Sequence, residues 1–255
     1  MTIAITWWGH ASATIELAGL RVAVDPLFSR RLAHLRRHGP PPGPHAAEAD
    51  VVLISHLHGD HLHLPSLRRF DPDVPIVVPR GTGGLLRDLP HPFISVEPGD
   101  DLLLPMGARL HVVPAQHDGR RHPGSRYSAP ALGYRMSVSD TASCWYPGDT
   151  GLHRHMFDIE SVDLAVVPIG GWGPSLGDEH LNPSQAVDAI ARVGARHAVP
   201  VHYGTFWPWG MTIARSAHRR FFVRPGYVFA EHMARRLPDV DARVPGPGER
   251  IEWPT

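Results

Sequence analysis

The segment SHLHGDH, residues 55–61, holds three imidazoles and one carboxylate within six residues: His56, His58, Asp60 and His61. It follows the apolar run 51–54, which predicts a buried strand that ends just before the first histidine. A strand end is where a rigid scaffold commonly presents binding residues on a loop. We therefore interpret the segment as a metal-binding loop. A solvated His-rich loop is the alternative, because the chain contains 19 histidines.

The composition is that of a globular protein, and we expect one domain that spans residues 1–255. The 25 basic and 25 acidic residues balance, which argues against broad electrostatic capture of nucleic acid or anionic membranes. The single cysteine, Cys144, excludes an intrachain disulfide and fits a reducing compartment. Residues 1–8 carry no secretory signal pattern, and no apolar run approaches the length of a membrane span. We therefore expect a cytoplasmic protein without a transmembrane segment.

Strand patterns dominate the chain, and the first two strands flank Ala18-Gly19 as a hairpin. A Gly-rich turn is expected at 81–84, and loops are expected at 29–49 and 204–212. The predicted strands cover residues 14–17, 20–24, 51–54, 76–78, 102–104, 109–113, 131–138, 142–146, 164–169 and 197–201.

Helix signals are fewer, and the clearest helix begins after Asn182, a good N-cap residue. Gln185 completes a capping box with it, and Gly194 is a suitable stop. A weaker helix is predicted at 229–237. Strands with interspersed helices but no strict alternation indicate an α/β sandwich rather than a Rossmann sheet. Neither a GxGxxG motif after the first strand nor a P-loop is found.

Three further candidate ligands each follow a predicted strand: His117, Asp149 and His202. With the four residues of the opening segment they give seven nitrogen or oxygen donors. Seven donors exceed what one tetrahedral zinc ion needs and suit two divalent ions that share a carboxylate. Because no thiolate takes part, zinc is favoured, with manganese or iron as alternatives.

The donor pattern resembles the metallo-β-lactamase superfamily, in which an HxHxDH loop is followed by a later His, Asp and His. Further segments are similar to the branch that contains ascorbate-6-phosphate lactonases and N-acylphosphatidylethanolamine phospholipase D-like hydrolases. The resemblance covers nearly the whole chain and implies a four-layer αβ/βα sandwich with the metals at one edge, between two β-sheets. The similar segments are residues 8–12, 25–28, 114–117, 147–151 and 180–183.

The resemblance also implies a role for each ligand. His56, His58 and His117 would hold the first ion. Asp60, His61 and His202 would hold the second ion, and Asp149 would bridge the two. Asp25 matches an early aspartate that supports the metal loop. The residues after His117, Asp118-Gly119-Arg120, depart from relatives of the phospholipase, which often carry an aromatic residue there.

The predicted function is that of a dinuclear hydrolase that uses a metal-bridging hydroxide on a small-molecule ester, lactone or phosphodiester. Asp60 would orient the nucleophile or accept a proton. His180, just before the capped helix, is the candidate proton donor or substrate ligand, and His10 either faces the site or braces the first hairpin. The pairs Arg30-Arg31 and Arg120-Arg121 are candidate phosphate contacts. Other histidines are expected at the surface, namely His34, His38, His45, His91 and His218.

Two other functions remain open on the same fold. One is a nucleic-acid-processing enzyme of the RNase Z kind, which the neutral charge and the lack of an appended RNA-binding arm disfavour. The other is an oxygen-reducing diiron protein, whose branch replaces a histidine of the dense motif by a carboxylate and adds a flavin domain; neither is seen. We expect a small-molecule partner and no nucleic acid, and the sequence leaves a homo-oligomer open.

Overall fold

Two large β-sheets form the middle of the molecule in a computed structural model, which describes residues 2–139, 142–171, 176–208, 210 and 213–254. The strands are β1 Thr2–Gly9, β2 Ser12–Leu17, β3 Leu20–Val24, β4 Arg31–Leu32, β5 Leu35–Arg37, β6 Val51–Leu53, β7 Ile76–Pro79, β8 Phe93–Val96, β9 Asp101–Leu103, β10 Arg109–Pro114, β11 Leu132–Val138, β12 Ala142–Tyr146, β13 Leu164–Pro168, β14 His197–Val201, β15 Phe206–Pro208, β16 Asp241–Ala242 and β17 Arg250–Pro254. The helices are α1 Leu64–Leu67, α2 Gly83–Leu86, α3 Pro183–Val193, α4 Arg215–His218 and α5 Arg224–Arg236. A π-helical turn, Arg219–Val223, joins α4 to α5, and 3-10 turns lie at Pro44–Ala47, Pro105–Gly107 and Arg154–Asp158.

Each large sheet has seven strands and mixes parallel with antiparallel pairs. The first sheet has the order β17-β1-β2-β3-β6-β7-β8, and the second has the order β16-β14-β13-β12-β11-β10-β9. Strands β3, β6, β7 and β8 run parallel, as do β12, β13, β14 and β16. The loops that leave β6, β12 and β14 therefore lie at the carboxyl ends of parallel strands, where open sheets commonly hold ligands.

The molecule has four layers, because each sheet packs against the other sheet on one face and against helices on its opposite face. Residues such as Ile15 of the first sheet and Tyr134 of the second fill the core between them. Because side chains alternate across a strand, neighbouring residues such as Val52 and Val167 face outward. The first outer face packs against α1 and α2, and the second packs against α3 and α5. The predicted αβ/βα sandwich is confirmed.

Helix α3 begins and ends as its sequence predicts. The side chain of Asn182 accepts hydrogen bonds from the backbone N–H groups of Ser184 and Gln185, at 2.9 and 3.0 Å. The backbone N–H of Asn182 in turn donates to Oε1 of Gln185. Gly194 ends the helix in the left-handed conformation at φ 66°. Its buried face, which includes Ile190, covers β13.

The two predicted loops are partly wrong, because short strands within them pair with each other. β5 lies in the 29–49 segment and β15 in the 204–212 segment, and Phe206 pairs with Arg37 across the strands. With β4 they form a small sheet of three strands. This pairing joins segments far apart in sequence, so neither segment carries the pattern on its own. Residues 209, 211 and 212 of the second predicted loop lie outside the described residues.

Other local predictions also need correction. The second half of the predicted Gly-rich turn at 81–84 belongs to α2, which begins at Gly83. The C-terminal helix begins at Arg224 rather than at residue 229. His91 is buried, with 4% exposure, although its Pro-flanked sequence predicts a surface residue. β1 and β17 were not predicted; residues of β1 are buried on both faces, which removes the polar alternation of a half-buried strand. No helix in the described residues combines the length and apolarity that a membrane crossing requires.

Candidate metal centre

The loop after β6 is held rigidly at both ends. The guanidinium of Arg121 donates to the carbonyl oxygens of Leu57 and Leu62, at 2.6 and 2.7 Å. Within the loop, the backbone N–H of Leu62 donates to the carbonyl of His58. These bonds occupy Arg121 in supporting the loop, so it is not a free phosphate contact. Arg30, Arg31 and Arg120 are exposed.

Three imidazoles form the first cluster. Nδ1 of His58 lies 3.0 Å from Nε2 of His56 and 3.1 Å from Nε2 of His117. A tetrahedral zinc ion with bonds of about 2.0–2.1 Å holds its ligands about 3.3 Å apart, so the spacing fits a shared ion. Burial lowers the pKa of all three imidazoles, that of His117 to about 4. Neutral imidazoles are the form that binds metals.

Two imidazoles and two carboxylates form the second cluster. Nε2 of His61 lies 3.2 Å from Nε2 of His202. Oδ2 of Asp149 lies 3.3 Å from the first of these nitrogens and 3.1 Å from the second. Oδ2 of Asp60 is slightly farther from them, at 3.6 and 3.8 Å. These four donors also fit a single ion.

Asp149 lies where the two clusters meet. One of its oxygens groups with donor atoms of His56 and His61, all within 4.8 Å of one another. Its Oδ1 is buried without a hydrogen-bond partner in the described part of the chain. A buried carboxylate oxygen without a donor is costly unless a cation satisfies it. Only glycine fits at position 148, next to Asp149, because a Cβ there would lie 2.4 Å from Cβ of Ser55.

The electrostatics of the second cluster favour a cation. Burial alone would lower the pKa of His61, but the carboxylates of Asp149, Asp60 and Asp25 raise it well above its ordinary value. Burial alone would raise the pKa of Asp60, but the imidazoles of His61 and His10 hold it well below its ordinary value. Asp60 is therefore ionised. Three carboxylates around one imidazole leave an excess of negative charge here, which a bound cation would neutralise.

Asp25 supports the metal loop from beneath. Its carboxylate accepts hydrogen bonds from the backbone N–H and the hydroxyl of Ser55, at 2.8 and 2.5 Å. It also accepts from the hydroxyl of Tyr146 at 2.5 Å and from Nδ1 of His61 at 2.7 Å. The bond to Nδ1 directs the opposite nitrogen, Nε2, into the second cluster, as outer partners of metal ligands commonly do.

Two more histidines reach the centre. Nε2 of His180 lies 3.4 Å from Oδ2 of Asp149, and its ring centroid lies 4.8 Å from that of His117. Burial lowers the pKa of His180, but the hydrogen bond to Asp149 outweighs it and raises the pKa overall. His10 reaches Asp60 and the second cluster, which sequence reasoning left open. The sequence signal that points to this position is the segment 8–12, which resembles the phospholipase branch.

The wall beside His10 is aromatic. The ring of Phe206 lies 5.7 Å from that of His10, and the guanidinium of Arg37 stacks on Phe206 at 4.8 Å. Arg37 is buried and donates to three backbone carbonyls, which fixes this wall. Trp207 packs against Phe222 instead. Trp209 and the Trp172-Gly173 part of the turn before His180 lie outside the described residues.

Two mixed sheets between helices, with nitrogen and oxygen donors gathered at strand ends, define a candidate metalloprotein of the metallo-β-lactamase type. Residues 20–203 match the family model described as a beta-lactamase superfamily domain. The chain belongs to this superfamily, and the predicted membership is confirmed.

Relatives of this chain carry the same assignment, which makes the protein a metal-dependent hydrolase of this superfamily. A protein of Nitratidesulfovibrio vulgaris named a metal-dependent hydrolase is 28% identical over 98% of this chain and 95% of its own. An N-acyl-phosphatidylethanolamine-hydrolyzing phospholipase D of Caenorhabditis elegans is 28% identical over 81% of this chain and 65% of its own length. The solved structure of a metallo hydrolase from Ignicoccus hospitalis has a TM-score of 0.73 at 22% identity, with both chains fully covered. That last likeness shows the fold alone.

Proposed function

We propose that the protein is a dinuclear metal-dependent hydrolase that cleaves a small-molecule ester, lactone or phosphodiester. The observation that carries this proposal is the pair of donor clusters that meet at Asp149. His56, His58 and His117 would hold the first ion. Asp60, His61 and His202 would hold the second ion, and Asp149 would bridge. Two divalent ions held there, most simply Zn²⁺, would supply a water activated at neutral pH and would polarise the carbonyl or phosphoryl oxygen of the substrate.

The residues of the chain have separate tasks in this reaction. Asp60, ionised and buried, is an acceptor that orients the attacking water or takes its proton. His180 lies at the edge of the centre with 19% of its side chain exposed, so a substrate can reach it. Its Nε2 lies 3.4 Å from Oδ2 of Asp149, and a protonated imidazole at this edge is placed to donate a proton to a leaving group.

The substrate class is proposed from the chemistry of the site and from the relatives. Divalent ions held by nitrogen and oxygen ligands would polarise carbonyl and phosphoryl oxygens alike. The Caenorhabditis elegans relative is named for hydrolysis of a phospholipid, and the same bond type is included here. The balance of 25 basic and 25 acidic residues gives no broad attraction for nucleic acid. We therefore propose a small molecule as the substrate.

The experiment combines metal analysis with turnover. Purified protein is stripped of metal, reloaded with Zn²⁺ and assayed on a p-nitrophenyl ester, an aliphatic lactone and bis(p-nitrophenyl) phosphate. We expect two ions per chain and hydrolysis of at least one substrate only after reloading. Equal turnover by the stripped protein, or a single bound ion, contradicts the proposal.

The role of His180 is tested by His180→Gln. Because the residue would donate a proton rather than hold the ions, we expect both ions to remain while kcat falls about 100-fold. His111→Gln is the control, since His111 pairs with Asp101 on the second sheet, outside the centre. Loss of an ion in His180→Gln would instead make His180 a ligand, and unchanged kcat would remove it from the reaction.

A further inference from the structure

The imidazole of His10 lies directly against a proposed ligand of the second ion. Its Nε2 is 2.8 Å from Oδ2 of Asp60, and the residue is 5% exposed. Its ring centroid lies 4.1 Å from that of His202. An ionised carboxylate only accepts hydrogen bonds, so Nε2–H of His10 is the donor in this contact. Asp60 is thus held by a buried donor that comes from the turn between β1 and β2.

The backbone at His10 is built to hold this imidazole in place. His10 has φ 56°, a left-handed conformation that is uncommon outside glycine and is kept only where contacts enforce it. Its N–H donates to Oγ1 of Thr205 at 2.6 Å. Its carbonyl accepts from Nε1 of Trp7 and from the backbone N–H of His202, both at 2.8 Å. The same turn therefore fixes the side chain of His10 and the backbone of His202.

We propose that His10 is a positioning residue for the second ion, which it serves by orienting the carboxylate of Asp60. The proposal rests on the two-ion centre of the proposed function. A carboxylate can rotate about its terminal bond, and a hydrogen bond to one oxygen fixes the plane in which it meets an ion. Outer partners of this kind typically change metal affinity 10- to 100-fold when removed.

Direct binding of the ion by His10 is the competing role. One of its ring nitrogens groups with donor atoms of Asp60, His61 and His202, all within 4.8 Å of one another. A nitrogen that donates its proton at 2.8 Å has no lone pair left for a metal. The short contact to Asp60 therefore favours positioning over ligation.

The test measures the two ions separately. Stripped protein is loaded with Co²⁺ and titrated with a chelator, while bound Co²⁺ per chain and the visible absorption spectrum are recorded. The variants are His10→Ala, which removes the donor, and His10→Gln, whose amide can still donate to Asp60. Thr14→Val is the matched control, because it breaks the hydrogen bond from Trp8 in the same hairpin without touching the centre.

We expect His10→Ala to weaken the second Co²⁺ about 10- to 100-fold and to leave the first unchanged. His10→Gln should restore most of that affinity with a wild-type spectrum, and Thr14→Val should bind both ions normally. Unchanged affinity in His10→Ala overturns the proposal, as does equal loss in Thr14→Val, which would indicate a general effect of the hairpin. Equal loss in His10→Gln together with a spectrum that lacks one nitrogen ligand would make His10 a ligand. A wild-type chain that binds one ion refutes the two-ion centre itself, before any variant is compared.

Discussion

Asp25 shows how one buried residue organises the loop at 55–61 without joining either donor cluster. Its carboxylate is completely buried and accepts hydrogen bonds from three residues: Ser55 at the start of the loop, His61 at its end and Tyr146 at the end of β12. The two sheets are thereby tied together directly beneath the centre. A buried carboxylate with this many donors is stabilised by them, and each donor in turn depends on its charge.

Substitution of Asp25 by Asn should destabilise the metal-free protein by about 3 kcal/mol, because the donors lose a charged acceptor in a buried site. Urea unfolding checks this value. Asp50→Asn is the control, since Asp50 is exposed and its carboxylate accepts a hydrogen bond from the backbone N–H of Arg21. For this variant we expect a loss of less than about 1 kcal/mol. A loss in Asp25→Asn no larger than in this control would show that Asp25 does not support the loop.

At the scale of elements, helix α3 is the clearest case of a structure that local sequence signals predict. Its start depends on Asn182 and Gln185, three residues apart, and its end on Gly194. Each signal acts over one helical turn, so no distant contact is needed to recognise it. Strands β3, β6 and β14 are equally local, because each is a short apolar run.

Removal of the N-cap gives a prediction at this scale. Asn182→Ala should cost about 1 kcal/mol, because two N–H groups in the first turn lose their acceptor. In a protein of this size that corresponds to a fall in Tm of about 2–4 °C, which calorimetry can measure. Asn182→Ser keeps an acceptor and should stay close to the wild type. Equal Tm values for the Ala variant and the wild type would contradict the prediction.

The small sheet of β4, β5 and β15 is the opposite case. β5 and β15 are three residues each, and their pairing depends on how the chain folds around the first sheet. Phe206 is placed beside His10 by this pairing and by the buried guanidinium of Arg37. Short strands carry too little pattern to be recognised alone, which is why the sequence predicts loops there.

For the whole molecule, we expect metal binding to contribute a large share of the free energy of unfolding. The donors come from the loop after β6, from the segments after β10, β12 and β14, and so from both sheets. Ions bound between the sheets therefore stabilise only the folded state, in which the donors are together.

Removal of metal should consequently lower Tm. At a Zn²⁺ concentration 100 times the dissociation constant, each site adds about 2.7 kcal/mol to the free energy of unfolding. Two sites together add about 5.4 kcal/mol, which corresponds to a rise in Tm of roughly 10–20 °C. Thermal unfolding in EDTA and after reloading with Zn²⁺ measures this shift. A double variant, His56→Ala with His58→Ala, is the comparison; it disrupts the first cluster, so its shift should be clearly smaller. An identical shift in the double variant would place the stabilising ions elsewhere.

The sequence by itself determined the chemistry of the donors and the class of the fold. The dense loop at 55–61, and the His or Asp that follows three later strands, are local features, and side-chain identity needs no structure to be read. Only the tertiary structure decided the distances: which nitrogens lie 3 Å apart, where Asp149 meets both clusters and that His10 reaches Asp60. The reason is that these distances are set by strand pairing and sheet packing, which join residues far apart in the chain and leave no periodic pattern at either partner.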